Sequence, residues 1–97
     1  MKKQDSSYAK MRIGFYENRF QNQTILQLVD EFNRLANSRG WAAERFYFSI
    51  ALVNEMIRRG IDVSSVVKWD DGRGQVLSVR YIPVRYDETS ASLMPLD

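Results

Sequence analysis

The chain reads as a small α+β domain in the order strand, helix, helix, β-hairpin, a dimer that is intertwined or packed through its helices. Three observations carry that expectation. An N-terminal stretch alternates apolar and polar residues at the two-residue period of a strand. Two stretches then place apolar residues at helical spacing and close on glycine. The β-branched and aromatic C-terminal third is split by an Asp-Gly turn signal. At 97 residues the chain holds one domain whose burial is marginal, and oligomerisation is a common remedy at that size.

Residues 1 to 8 read as a flexible lead and residues 9 to 86 as the domain. In residues 10 to 16, KMRIGFY, Met11, Ile13 and Phe15 alternate with Lys10, Arg12, Gly14 and Tyr16, a strand with one buried face. A helix is the rival, because Tyr8, Met11, Phe15 and Tyr16 also suit helical spacing; Gly14 and the β-rich composition favour the strand. The polar residues 17 to 23 form a connection. Thr24 and Gln27 then make a capping box, and Ile25, Leu28, Val29, Phe32, Leu35 and Ala36 give one clean apolar stripe, with Gly40 as the stop.

The second helix begins near Ala42 or Ala43 and closes at Arg58, Arg59 and Gly60. Phe46, Ile50, Val53 and Ile57 line one face, while Phe48, Leu52 and Met56 line another. A helix apolar on two sides must be covered on two sides, so these seven residues are the expected dimer interface. Residues 61 to 69 and 75 to 86 form the hairpin, with Trp69 opposite Gln75, Val67 opposite Leu77 and Val63 opposite Tyr81. Pro83 makes the end of the second strand an edge. Residues 87 to 97 read as a loose acidic tail, although Leu93, Met94 and Leu96 can dock.

Composition narrows the chemistry. The chain has neither cysteine nor histidine, which removes thiolate chemistry, the usual general base and the commonest metal ligand. No nucleophile is paired with a base, so a non-enzyme without metal or cofactor is expected. Asp70 and Asp71 beside Gly72 are turn residues rather than a metal pair. No apolar run reaches membrane-spanning length and no leader pattern opens the chain, so a cytoplasmic protein is expected, away from the membrane. The net charge of +2 is mild, but Lys2, Lys3, Lys10 and Arg12 are offset only by Asp5 in their neighbourhood.

The order of elements over residues 10 to 60 resembles the ribbon-helix-helix DNA-binding proteins of the Arc and MetJ type. The resemblance runs through Gly40, Trp41, Ala42, Ala43, Glu44, Phe46 and Ile50-Ala51 at the turn and second helix. It implies an intertwined dimer with paired strands in the major groove of duplex DNA. Lys10, Arg12 and Gly14 would then lie on the outward face of the ribbon, and the amides around Ala42 and Ala43 would receive a phosphate. The long connection at 17 to 23, the absence of a hydroxyl cap at Ala42 and Ala43, and the C-terminal hairpin depart from the family pattern.

Other readings stand beside it. A helix over residues 6 to 20 would give three helices and a hairpin, like a winged helix with Arg73 at the wing tip, but the third helix is too apolar to read a groove. Trp69, Arg73, Tyr81, Arg85 and Tyr86 can track a single strand of nucleic acid, or serve as hairpin core and edge. The functional alternative to DNA binding is a non-catalytic protein-interaction module, with a protein partner at the hairpin edge near residues 83 to 86 and at the apolar tail.

Overall fold

A 19-residue helix, α1 (Lys2–Phe20), occupies the segment expected to hold a flexible lead and a strand. In this computed structural model, which describes residues 2–38, 43–70, 72 and 75–96 and side chains from Ser7 onward, residues 10 to 16 are helical throughout. The deciding residues lie partly beyond the alternating stretch. Ile13, Tyr16 and Phe20 recur at i, i+3 and i+7 and turn together toward the core, where Tyr16 and Phe20 are buried. Met11 and Phe15, which a strand would have placed beside Ile13, fall on the opposite side of the helix and are exposed. The lead expected over residues 1 to 8 is likewise helical from Lys2.

Thr24 caps α2 (Ile25–Ala36) as its sequence predicts: its hydroxyl accepts the Gln27 amide at 3.1 Å, and the Gln27 side chain accepts the Thr24 amide at 2.8 Å. The stripe Leu28, Val29, Phe32 and Leu35 is buried. The third helix, α3 (Ala43–Arg58), is the centre of the molecule, with α1 and α2 both packed on it. The contacts Arg12–Glu44, Glu17–Asn54 and Phe20–Arg59 ascend together in number from α1 to α3, so the two helices run in the same direction.

The residues expected at a dimer interface divide between the core of the single chain and its surface. Phe48, Leu52, Val53 and Met56 are buried within the single chain. The Phe48 ring meets Tyr16 and Phe20 edge to face at 5.0 and 5.2 Å. Phe46 and Ile50 are half-buried, and Ile57 is exposed. The row Phe48, Leu52 and Met56 on α3 is covered within the chain, while Val53 is the one buried member of the other row.

Beyond Gly60, whose φ of 82° lies in the left-handed region, the chain forms two separate antiparallel hairpins among the described residues. The first pairs β1 (Val67–Asp70) with β2 (Gln75–Val79). Its register differs from the expected one: Val67 faces Val79, Trp69 faces Val76, and a bulge falls between Lys68 and Trp69. The physical reason is burial at the base of the hairpin. Val67 and Val79 are both buried there, while Leu77, expected opposite Val67, is exposed. Residues 61 to 66 are no strand: the Asp62 carboxylate accepts the Ser64 amide, and Val63 accepts the amides of Val66 and Val67 in a tight turn.

The long second strand expected to Tyr86 breaks at residues 80–83, ahead of which Pro83 removes a donor. β3 (Val84–Asp87) then pairs with β4 (Ser92–Pro95). The expected loose tail is therefore ordered, with Leu93 buried and its amide bonded to the Asp62 carbonyl. The open edge of β3 is closed by a side chain. Asn33 of α2 accepts the Val84 amide at 2.8 Å and donates to the Val84 carbonyl at 2.9 Å, standing in for a neighbouring strand. Replacing Asn33→Leu leaves both groups of buried Val84 unpaired, and a buried unpaired group costs about 1–3 kcal/mol. The urea midpoint should fall with unchanged m-value; an unshifted midpoint would show that water replaces the amide without loss.

Candidate functional site

Among the described residues, the outward side of α1 carries a row of exposed apolar side chains. Tyr8, Met11 and Phe15 retain 50%, 60% and 58% of their surface exposed, in a single row spaced by three and four residues. Tyr8 leans edge to face on Tyr47 of α3 at 6.1 Å. Gly14 sits beside this row, exposed and with open space where a Cβ would stand. α3 is thus buried along its Phe48, Leu52 and Met56 row, and α1 carries an apolar row that is exposed.

Ion pairs on one flank hold α1 in place. The Arg12 guanidinium donates to both carboxylate oxygens of Glu44 and to the Tyr16 hydroxyl, and lies against the rings of Phe15 and Tyr16 at 5.0 and 5.2 Å. The Tyr16 hydroxyl donates to Glu44 at 2.5 Å. These bonds, from Arg12 first and Tyr16 second, hold the Glu44 carboxyl below the usual range against a smaller effect of burial. Burial, followed by the bond to Glu44, raises the Tyr16 phenol above its ordinary value. Glu44 lies in the first turn of α3, where a negative charge is favoured. Lower on the same flank, Arg19 pairs with Glu31 of α2 at 3.0 Å.

The expected DNA-binding residues fall as follows. Lys10 is exposed on α1, and Gly14 is on the open face. Arg12, expected on the outward face of a ribbon, is paired with Glu44 instead. Ala43 is the exposed first residue of α3, and Ala42 lies outside the described residues. No paired ribbon forms from residues 10 to 16, because the segment is helical. In the aromatic and basic set of the hairpins, the Tyr81 hydroxyl shares a hydrogen bond with buried Ser49 and its ring lies 3.9 Å under Arg45, Tyr86 is half-buried, and Arg73 is outside the described residues. Trp69 and Leu77 are exposed on the first hairpin.

Among the described residues, the carboxylates that line the grooves are already paired. One groove of about 240 Å³ is lined by Glu17, Gln21, Asn54, Glu55 and Arg58, where Glu17 accepts from Asn54, and Glu55 from Arg58 and Arg59. Among the described residues no group of three or more His, Cys, Asp or Glu side chains is placed to hold a metal ion. Among them, too, no helix is long and apolar enough to cross a membrane. Sequence reasoning passed over Tyr8 and Phe15 as site residues, although the helical spacing of Tyr8, Met11 and Phe15 was their signal.

The fold and this face define a small α+β domain of three helices and two hairpins. Comparison with protein-family models, with curated proteins and with solved structures finds no match to the chain.

Proposed function

We propose that the chain is a small non-catalytic interaction module that docks a polypeptide helix on the outward face of α1. The observation that carries this reading is the exposed row Tyr8, Met11 and Phe15. Three large apolar side chains aligned on one face of α1 keep half or more of their surface exposed, and contiguous exposed apolar surface marks interaction sites. Their three-and-four spacing fits the grooves of another helix better than a strand or a small molecule.

The DNA-binding reading that the ribbon-helix-helix resemblance carries is the competitor. It retains Lys10 as a phosphate contact but loses Arg12 to Glu44. One experiment separates the two. With Met11 replaced by the photo-reactive benzoylphenylalanine, illumination in an extract should produce adducts with polypeptide, at a yield that does not fall as salt is raised. A control at Asp30, exposed on α2, should give none. Adducts to duplex DNA, or a gel shift that vanishes as salt rises, would establish DNA binding instead, since phosphate contacts weaken steeply with salt.

A further inference from the structure

The chain has four methionines and no cysteine, so thioethers are its only sulfur groups open to a mild two-electron oxidant such as a peroxide. Three of them lie among the described residues, in three different surroundings. Met56 of α3 is fully buried in the core. Met94 of β4 is 37% exposed, and its sulfur accepts the Ser92 hydroxyl at 3.6 Å. Met11 is 60% exposed at the centre of the α1 row, three residues after Tyr8 and four before Phe15. Met1 lies outside the described residues.

These surroundings rank the three. A thioether attacks a peroxide through a sulfur lone pair, so the oxidant must reach the sulfur. The core denies that approach to Met56. The bond from Ser92 engages a lone pair of Met94, which makes that sulfur a poorer nucleophile. Met11 is the most open of the three and lies outside the core cluster. Oxidation turns a flexible apolar side chain into a polar one. At Met11 the new oxygen would stand between the two aromatic residues of the row, and any apolar surface covering the row would bury it without a hydrogen bond. The fold itself does not depend on this side chain.

We propose that Met11 is a peroxide-oxidation site whose sulfoxide switches off docking on α1. The site rests on exposure and surroundings, and the switch rests on the docking face proposed above. In the forward step the peroxide O–O bond breaks and one oxygen passes to the Met11 sulfur. The sulfur gives up two electrons, and hydrogen peroxide leaves as water. The return step is reduction of the sulfoxide by a thiol-dependent reductase, which releases the oxygen as water and leaves a disulfide on the reductant.

The full chain treated with limiting hydrogen peroxide should take up oxygen at Met11 several-fold faster than at Met94, with Met56 untouched, as read by peptide mass spectrometry. Its melting temperature should not change. With benzoylphenylalanine in place of Tyr8, the yield of polypeptide adducts in a dialysed extract should fall several-fold once the chain is oxidised, and return after sulfoxide reduction. The same chain carrying Met11→Leu should lose the response: its yield, whatever its starting level, should be equal with and without peroxide. Oxygen entering Met94 first overturns the inference, as does a melting temperature that falls when Met11 is oxidised. An adduct yield that persists with Met11 oxidised refutes the switch and leaves the interaction module standing. No polypeptide adduct from the untreated chain, at position 8 or 11, refutes both.

Discussion

Phe20→Ala should destabilise the domain by about 3–5 kcal/mol, the range for emptying a fully buried phenylalanine site. Phe20 is completely buried at the end of α1, against Phe48 of α3, and the Arg19 guanidinium lies over its ring at 5.8 Å. The cost is transfer of the ring to water plus the cavity left between helices held by α2 and the hairpins, which cannot close freely. A domain of this size has about 5–15 kcal/mol in total, so the variant should be partly unfolded at ambient temperature or have a much lower urea midpoint. Phe20→Leu, which keeps most of the volume, should lose far less. A loss under about 1 kcal/mol for the alanine variant would mean that α1 is not anchored through this residue.

The second large effect centres on Glu55, a carboxylate on α3 that is only 3% exposed. It accepts from Arg58 at 2.6 Å and from Arg59 at 2.8 Å. Arg59 also donates to the carbonyls of Phe20 and Gln21, which follow from the unsatisfied end of α1. Glu55 thus positions the arginine that caps α1. Burial pushes its carboxyl up, but the two arginines together pull it further down, so the net shift is below the usual value. Replacing Glu55→Ala removes the charge-assisted bonds that hold Arg59 at the end of α1 and should cost about 1.5–3 kcal/mol.

A depressed carboxyl gives the pH dependence its sign. The stability from Glu55 is fully present above the unfolded value of about 4.3 and is lost as pH falls through the lower folded value. Glu44, Asp62 and Asp87 are depressed as well, Glu44 chiefly by Arg12, Asp62 by the Ser64 amide and Asp87 by the Ser90 hydroxyl. All four act in the same direction, so the melting temperature should hold from neutrality to about pH 5 and then drop steeply toward pH 3. The Glu55→Ala variant should begin lower and show a shallower drop. Equal acid slopes for the two proteins would remove Glu55 from this account.

Local signals were legible where one element sufficed to satisfy them. Thr24 and Gln27 cap α2, Leu28, Val29, Phe32 and Leu35 bury its one apolar stripe, and Gly60 ends α3. The α1 segment differs from the expected strand because Met11 and Phe15 fit both a two-residue alternation with Ile13 and a helical row with Tyr8, and the residues that decide between them, Tyr16 and Phe20, do so through Phe48, some thirty positions away. The candidate site was legible only in its parts. The row Tyr8, Met11 and Phe15 is visible in the sequence, but that it faces outward depends on which side of α1 packs on α3.

By itself the sequence determined a small α+β domain with two well-bounded helices, the second of them apolar on two faces, and a hairpin across residues 70–75, because capping, helical periodicity and turn chemistry act within a few residues. The tertiary structure alone decided which apolar faces are internal. It covered α3 with the chain's own α1 and α2, drew Arg12 inward to Glu44, docked Leu93 through β4, and left α1 with the open face. The reason is that burial is a property of surfaces brought together from distant parts of the chain, and a pattern of apolar residues states that a face must be covered without stating by what.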